Sequence, residues 1–228
     1  PLGCLRDESA TACARPALSE ASAVDDFFRD MEQHQAPMAE VDDGLQELRL
    51  KFTGSGGQGI LSLGICVAEA ARLEKRFTTW FPTYGPEQRG GSAACSVVIS
   101  GHPIGSPSVD RPDVLVCMNQ PSYERFVRDV KPGGTVIVDA TVPLTVAAPE
   151  GVRVISMPAI DLSIKMGVPK AANTMMLAAL AKLGVTGLNN ESLTTALDAS
   201  FKGKPALVEK NRLLLREAET WMDENLKL

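Results

Sequence analysis

The sequence predicts an α/β domain of three layers, a mostly parallel sheet flanked by helices. Three observations predict it. Strand-like and helix-like segments alternate from residue 48 onward. One strand-like run, Val114 to Met118, is apolar throughout, as in a strand buried on both faces. The 228 residues, 44% of them hydrophobic, suffice for one full core.

The elements follow in order. Leu48-Arg-Leu-Lys-Phe-Thr53 alternates apolar and polar residues, the two-residue period of a strand. Gly54-Ser-Gly-Gly-Gln-Gly59 comes next. A stripe of Ile60, Leu63, Gly64, Val67, Ala68 and Ala71 then marks a helix. This opening is a Rossmann-like strand, loop and helix. Phe77 to Phe81 and Ser92 to Ser100 are strands, and Gly101-His102-Pro103 turns the chain after the latter. Val114 to Met118 is a buried strand, Tyr123 to Val130 a short helix, and Thr135 to Asp139 a second buried strand. Val152 to Met157 is the last strand. Ala171 to Leu183 and Glu191 to Ser200 are helices. The final helix places Leu207, Asn211, Leu214, Ala218 and Trp221 on one face.

Residues 1–47 form a separate acidic extension to the domain at 48–228. Residues 1–50 hold 4 Lys and Arg against 11 Asp and Glu, whereas residues 51–228 hold 19 against 17. Within the extension, Val24 to Gln33 fits one short helix anchored by Phe27 and Phe28. Neither part carries the basic patch of a nucleic-acid binder. No apolar run is long enough for a transmembrane helix, and the first residues show no secretory signal pattern. Cys4, Cys13, Cys66, Cys95 and Cys117 are scattered, with no C-x-x-C pair and no cluster with His34 or His102. No metal or iron–sulfur site within the chain is expected, and the thiols fit a reducing cytoplasm.

Two loops carry the chemistry. Gly54, Gly56 and Gly59 match the spacing of a dinucleotide fingerprint, and the helix that follows offers free N–H groups and a positive dipole end. A nicotinamide reading requires an acid at the end of the second strand, but that strand ends Thr79-Trp80-Phe81-Pro82. No Walker lysine follows either. An anionic or polar ligand of another kind and simple close packing both remain open. The second loop, Pro82-Thr-Tyr-Gly-Pro-Glu-Gln-Arg-Gly-Gly91, places an arginine before two glycines. Arg89 can grip a carboxylate or phosphate with two parallel bonds. Glu87 can pair with Arg89 or act on a proton. An ordinary ion pair in a structural loop is the alternative.

These loops, with Met118-Asn-Gln-Pro-Ser122 and Lys131-Pro-Gly-Gly134, occur in an order that resembles the gamma subunit of the 2-oxoacid:ferredoxin oxidoreductases. The resemblance spans about residues 48–225 and is strongest to the 2-oxoglutarate and branched-chain types. The pyruvate and indolepyruvate types are similar. It implies a cytoplasmic, heteromeric enzyme that decarboxylates a 2-oxoacid, with 2-oxoglutarate expected, and passes two electrons to ferredoxin. Coenzyme A (CoA) is the acyl acceptor. Thiamine diphosphate with Mg²⁺ and the [4Fe-4S] clusters are implied in alpha, beta and delta partner subunits, not in this chain, which is expected to be inactive alone. Arg89 is the implied CoA-side anion contact. Gly56, Gly57, Gln58 and Gly59 shape the adjoining loop, and Tyr84, Glu87, Asn119 and Gln120 complete the candidate set. No catalytic acid or base is implied among them. The alternatives are a free-standing nucleotide-binding enzyme and a purely structural assembly subunit.

Other polar residues have local explanations. Asn119 either binds a ligand or caps the helix from Ser122. Asp139 caps or turns. Lys202 and Lys204 lie on a solvated face, and His102 sits exposed in a turn. Trp80 and Trp221 belong to core or interface. Asn173 opens a helix and is placed to pack against the neighbouring loops, with no functional role assigned.

Overall fold

A computed structural model describes residues 47–84 and 91–226, with the Tyr84 side chain outside that description. The extension up to residue 46, including the expected helix at Val24 to Gln33, and the loop residues Glu87 and Arg89 lie outside the described residues.

Strand β1 (Leu48–Ser55) is followed by helix α1 (Ile60–Leu73), then strands β2 (Phe77–Tyr84), β3 (Ser92–Ser100) and β4 (Val114–Cys117). Helix α2 (Gln120–Phe126), strands β5 (Thr135–Asp139) and β6 (Arg153–Met157), and helices α3 (Ala159–Lys165), α4 (Ala172–Leu183), α5 (Asn190–Ala199) and α6 (Pro205–Asn225) complete the order. The six strands form one sheet in the order β2-β3-β1-β4-β5-β6. β1, β4, β5 and β6 pair in parallel, whereas β3 is antiparallel to both β1 and β2. The short link from Tyr84 to Gly91 dictates this reversal, because a parallel return needs a crossover of a dozen or more residues.

The sheet separates two apolar layers. On one face Leu50, Phe52, Val97, Val116, Ile137 and Met157 pack with α1, α3, α4, α5 and α6. On the other, Leu115, Cys117, Val136 and Val138 pack with Tyr123 of α2 and with Val127 and Val130. Alternation within β4 and β5 therefore serves both faces, which is why these strands read as continuous apolar runs. The helical stripe expected on α1 is buried at every position. Its closest approach to the sheet is at Gly64, where an added Cβ would run into Cys95 Sγ and press on Trp80.

Several details differ from the sequence expectation, which contains no helix at Ala159–Lys165 and ends the second strand at Phe81 rather than Tyr84. α2 begins at Gln120 rather than Tyr123, because Asn119 caps it and Pro121 sits in its first turn, and it decays into a 3-10 turn at Val127–Asp129. On α6 the fully buried positions are Asn211, Leu214, Ala218 and Met222, with Trp221 only partly covered. Asn211 is buried because its amide donates to the Leu207 carbonyl and its oxygen accepts from Thr174 at 2.6 Å.

Asp139 ties the end of β5 to the start of α3. It is fully buried; Oδ1 accepts from the Thr141 N–H and hydroxyl, and Oδ2 from the Ile160 N–H at 3.0 Å. α3 has no other side-chain cap. Replacing Asp139 with Ala is expected to cost about 2–4 kcal/mol in urea unfolding, because charge-assisted bonds are lost and the Ile160 N–H loses its acceptor. A loss below about 1 kcal/mol contradicts the assignment.

Burial pushes the Cys66, Cys95 and Cys117 thiols from 9.0 up to about 12. The folded chain thus holds these protons where the unfolded chain releases them. Their stabilising contribution is complete below pH 9 and declines as pH rises towards 12. At pH 8 all three thiols should resist alkylation in the folded protein and react only after denaturation, as read by peptide mass spectrometry.

Candidate functional site

The carboxyl ends of β1, β2, β4, β5 and β6 share one edge of the sheet, and β3 starts there. The chain leaves β1 towards β2 through α1, on one side, and leaves β4 towards β5 through α2, on the other. The loops after β1 and β4 therefore part at a topological switch point, where open α/β sheets leave a crevice for ligands.

The glycine loop fills that position. Its turn is closed by the Gln58 N–H donating to the Ser55 carbonyl at 3.1 Å. The Gln58 side chain folds back over it: Oε1 accepts from the Ser55 N–H at 2.7 Å, and Nε2 donates to the Met118 carbonyl at 2.9 Å. Gly54 makes room for this, since a Cβ there would stand 2.6 Å from Gln58 Oε1. Asn119 reaches across from β4. Its Nδ2 donates to Ser55 Oγ at 2.6 Å, while its Oδ1 accepts from the Ser122 N–H at 2.9 Å and caps α2. Of the two readings of Asn119, the structure shows the cap, and the other end of the amide is bonded to Ser55 of the loop.

The Gly56 N–H donates to the Gly91 carbonyl at 2.9 Å, so the far end of the arginine loop is fastened to the glycine loop. The near end is fixed by the pairing of Tyr84 with Ala93. Gly57 and Gly59 adopt φ of +97° and +73°, conformations that favour glycine. The space beside Gly57 is open, with nothing within 4 Å of an added Cβ.

The arrangement presents backbone rather than side chains. Gln58 and Asn119 are engaged within the chain at both ends of their amides. Gln120 donates to Glu124 Oε1 at 2.8 Å on the exposed side of α2, and Thr145 donates to the same oxygen. These two donors hold the Glu124 carboxyl below its usual range. At the start of α1, Gly59 supplies no side-chain cap and the first turn holds no acid. Such an end favours an anion or a strongly polar acceptor.

Asn173, read from the sequence as opening a helix beside the neighbouring loops, joins the glycine loop: its Nδ2 donates to the Gly59 carbonyl at 3.4 Å. Lys202, Lys204 and His102 are exposed, as expected. Cys66 and Cys95 donate weakly to the carbonyls of Leu193 and Ile60 and are buried. Among the described residues no group of three or more His, Cys, Asp or Glu is placed to hold a metal ion, and no helix is long and apolar enough to cross a membrane. The two cavities described, about 30 and 20 Å³, have room for little more than a water each.

Comparison with known proteins places the chain in context. The family model for pyruvate ferredoxin/flavodoxin oxidoreductase matches residues 49–221. A ketoisovalerate oxidoreductase subunit VorA from Methanothermobacter marburgensis is 42% identical over 205 residues, which is 90% of this chain and 42% of that protein. The chain thus spans less than half the length of this relative. A 2-oxoglutarate synthase subunit KorC from Methanocaldococcus jannaschii is 39% identical over 168 residues, covering 72% of this chain and 88% of that one. Among solved structures, the gamma subunit of a keto/oxoacid ferredoxin oxidoreductase from Geobacter sulfurreducens superposes with a TM-score of 0.66 at 26% identity, covering 77% of this chain and 96% of its own.

Substitution of Gly54 by Ala tests the loop geometry. The Cβ displaces the Gln58 side chain, and both of its hydrogen bonds are lost or lengthened. A destabilisation of about 1–3 kcal/mol is expected in urea unfolding. Gly57→Ala, which meets open space, should cost only the about 1–2 kcal/mol of its left-handed φ. Equal effects larger than that range at both positions would contradict the packing assigned to Gln58.

Proposed function

The chain belongs to the pyruvate ferredoxin/flavodoxin oxidoreductase family, and from that membership we propose that it is the gamma-type part of a CoA-acylating 2-oxoacid:ferredoxin oxidoreductase. The overall reaction converts a 2-oxoacid carboxylate, CoA thiol and two oxidised ferredoxins into acyl-CoA, CO₂, two reduced ferredoxins and one proton. Thiamine diphosphate and iron–sulfur clusters supply decarboxylation and electron transfer in the alpha, beta and delta partners. This chain contributes one wall of the site, on the side where CoA enters.

One observation carries this reading. The Gly56–Gly91 hydrogen bond joins the glycine loop to the end of the arginine loop at the switch point of the sheet. Arg89 stands two residues before Gly91 in the sequence. Its guanidinium is the anion contact of this reading, towards a CoA phosphate. The uncapped start of α1 and the open side of Gly57 complete the edge. Gln58 and Asn119 border it and act by holding main-chain N–H groups in place, and Tyr84, Glu87 and Gln120 are further candidates of the same reading.

The 2-oxoacid is chosen by the partners that enclose the thiamine. The relatives' names divide between ketoisovalerate and 2-oxoglutarate, and either acid suits a chain whose own edge recognises CoA. Anaerobic purification from the native cells, with the companion chains identified and CoA-dependent viologen reduction assayed on both acids, tests the whole reading. Larger thiamine- and cluster-bearing companions and activity on one acid are expected. Isolation as a lone active enzyme that binds a nicotinamide nucleotide would overturn it. In the assembled enzyme, Arg89→Ala should raise the CoA KM by about tenfold or more while the 2-oxoacid KM stays within about twofold. Loss of assembly with unchanged CoA KM in the residual complex would instead favour a structural role.

A further inference from the structure

We propose that Asn173 is a positioning residue for the ligand edge, setting the pitch of the glycine loop through the Gly59 carbonyl. Its kinetic consequence rests on the CoA-side reading; its structural consequence does not.

Gly59 is the joint between loop and helix, at φ +73°. Its carbonyl accepts from the Leu63 N–H at 2.9 Å, the first main-chain bond of α1, and from Asn173 Nδ2 at 3.4 Å. The carboxamide of Asn173 also lies against the Cα of Gly59: an added Cβ would stand 2.6 Å from Nδ2 and 2.7 Å from Cγ. One side chain therefore does two things. It occupies the space a side chain at 59 would need, and it donates to the carbonyl that orients the first turn of α1.

Asn173 sits badly for any local role. It is the second residue of α4, whose N-cap position is Ala171, and its side chain makes no bond to its own helix. Asparagine at such a place ordinarily bonds the adjacent backbone or weakens the helix. Here the amide reaches a residue 114 positions away. Its base is rigid. Thr174 to Leu180 are all buried, and Thr174 bonds Asn211 of α6. A core helix thus holds the amide still, and the amide transmits that rigidity to Gly59. Through Gly59 it reaches Gly57, beside which the space is open.

The experiment uses the assembled complex carrying Asn173→Ala or Asn173→Asp. Asp keeps the shape but cannot donate in its ionised form, so it remains informative should the Ala variant fail to assemble. Amide hydrogen exchange of the peptide spanning 55–62 should quicken by about tenfold, with α4 unchanged. The CoA KM should rise by about tenfold with kcat and the 2-oxoacid KM within about twofold. Unaltered exchange at 55–62 overturns the proposal. Faster exchange spread along α4 also overturns it, because Asn173 then acts by packing. Faster exchange at 55–62 with an unaltered CoA KM upholds the positioning role and refutes the CoA-side reading instead.

Discussion

The Gln58 amide is the interaction on which the edge depends. One oxygen and one nitrogen span from the Ser55 N–H to the Met118 carbonyl, so the end of β1 and the end of β4 are held by a single side chain. Without it, the glycine loop would have the conformational freedom that its composition invites and no fixed ligand geometry. The requirement propagates backwards to Gly54, which must lack a side chain for Gln58 to fold over it. It propagates forwards to Gly59, where the chain turns into α1 under the carboxamide of Asn173. The glycines serve this internal bracing as much as they serve approach by a ligand.

The sheet makes that bracing functional. An antiparallel β2–β3 hairpin inserted beside β1 brings the arginine loop back to the same edge as the glycine loop. β2 runs in the same direction as β1, and β3, antiparallel to both, starts at their shared carboxyl edge. Asn119, at the end of β4, then closes the switch point by touching Ser55 and capping α2 with its two amide ends. The result is an edge whose amide side chains are saturated within the chain.

Much of this was legible in the sequence. The apolar runs at Val114 to Met118 and Thr135 to Asp139 declared buried strands, and the stripe on α1 declared its core face. The glycine spacing left a polar or anionic ligand and close packing as alternatives, and the packing is what Gln58 and Asn173 display around Gly54 and Gly59. The antiparallel setting of β3 was not written in periodicity; it follows from the short link after Tyr84, a connection-length argument. Nor was the inward use of Gln58. An exposed-looking amide between two glycines reads as a ligand contact, and only tertiary placement of the Met118 carbonyl shows what holds its Nε2. The particular partner of Asn173 was hidden for the opposite reason, since this single polar residue among alanines and methionines bonds the Gly59 carbonyl, far away in sequence.

The central claim is that CoA meets this chain at the braced carboxyl edge. Hydrogen exchange of the assembled complex, with and without CoA, tests it most directly. Protection confined to the peptides covering 54–60, 84–92 and 118–122, with α5 and α6 unaffected, is the predicted result. Protection located only in the partner chains, or on the helices far from this edge, would contradict the account.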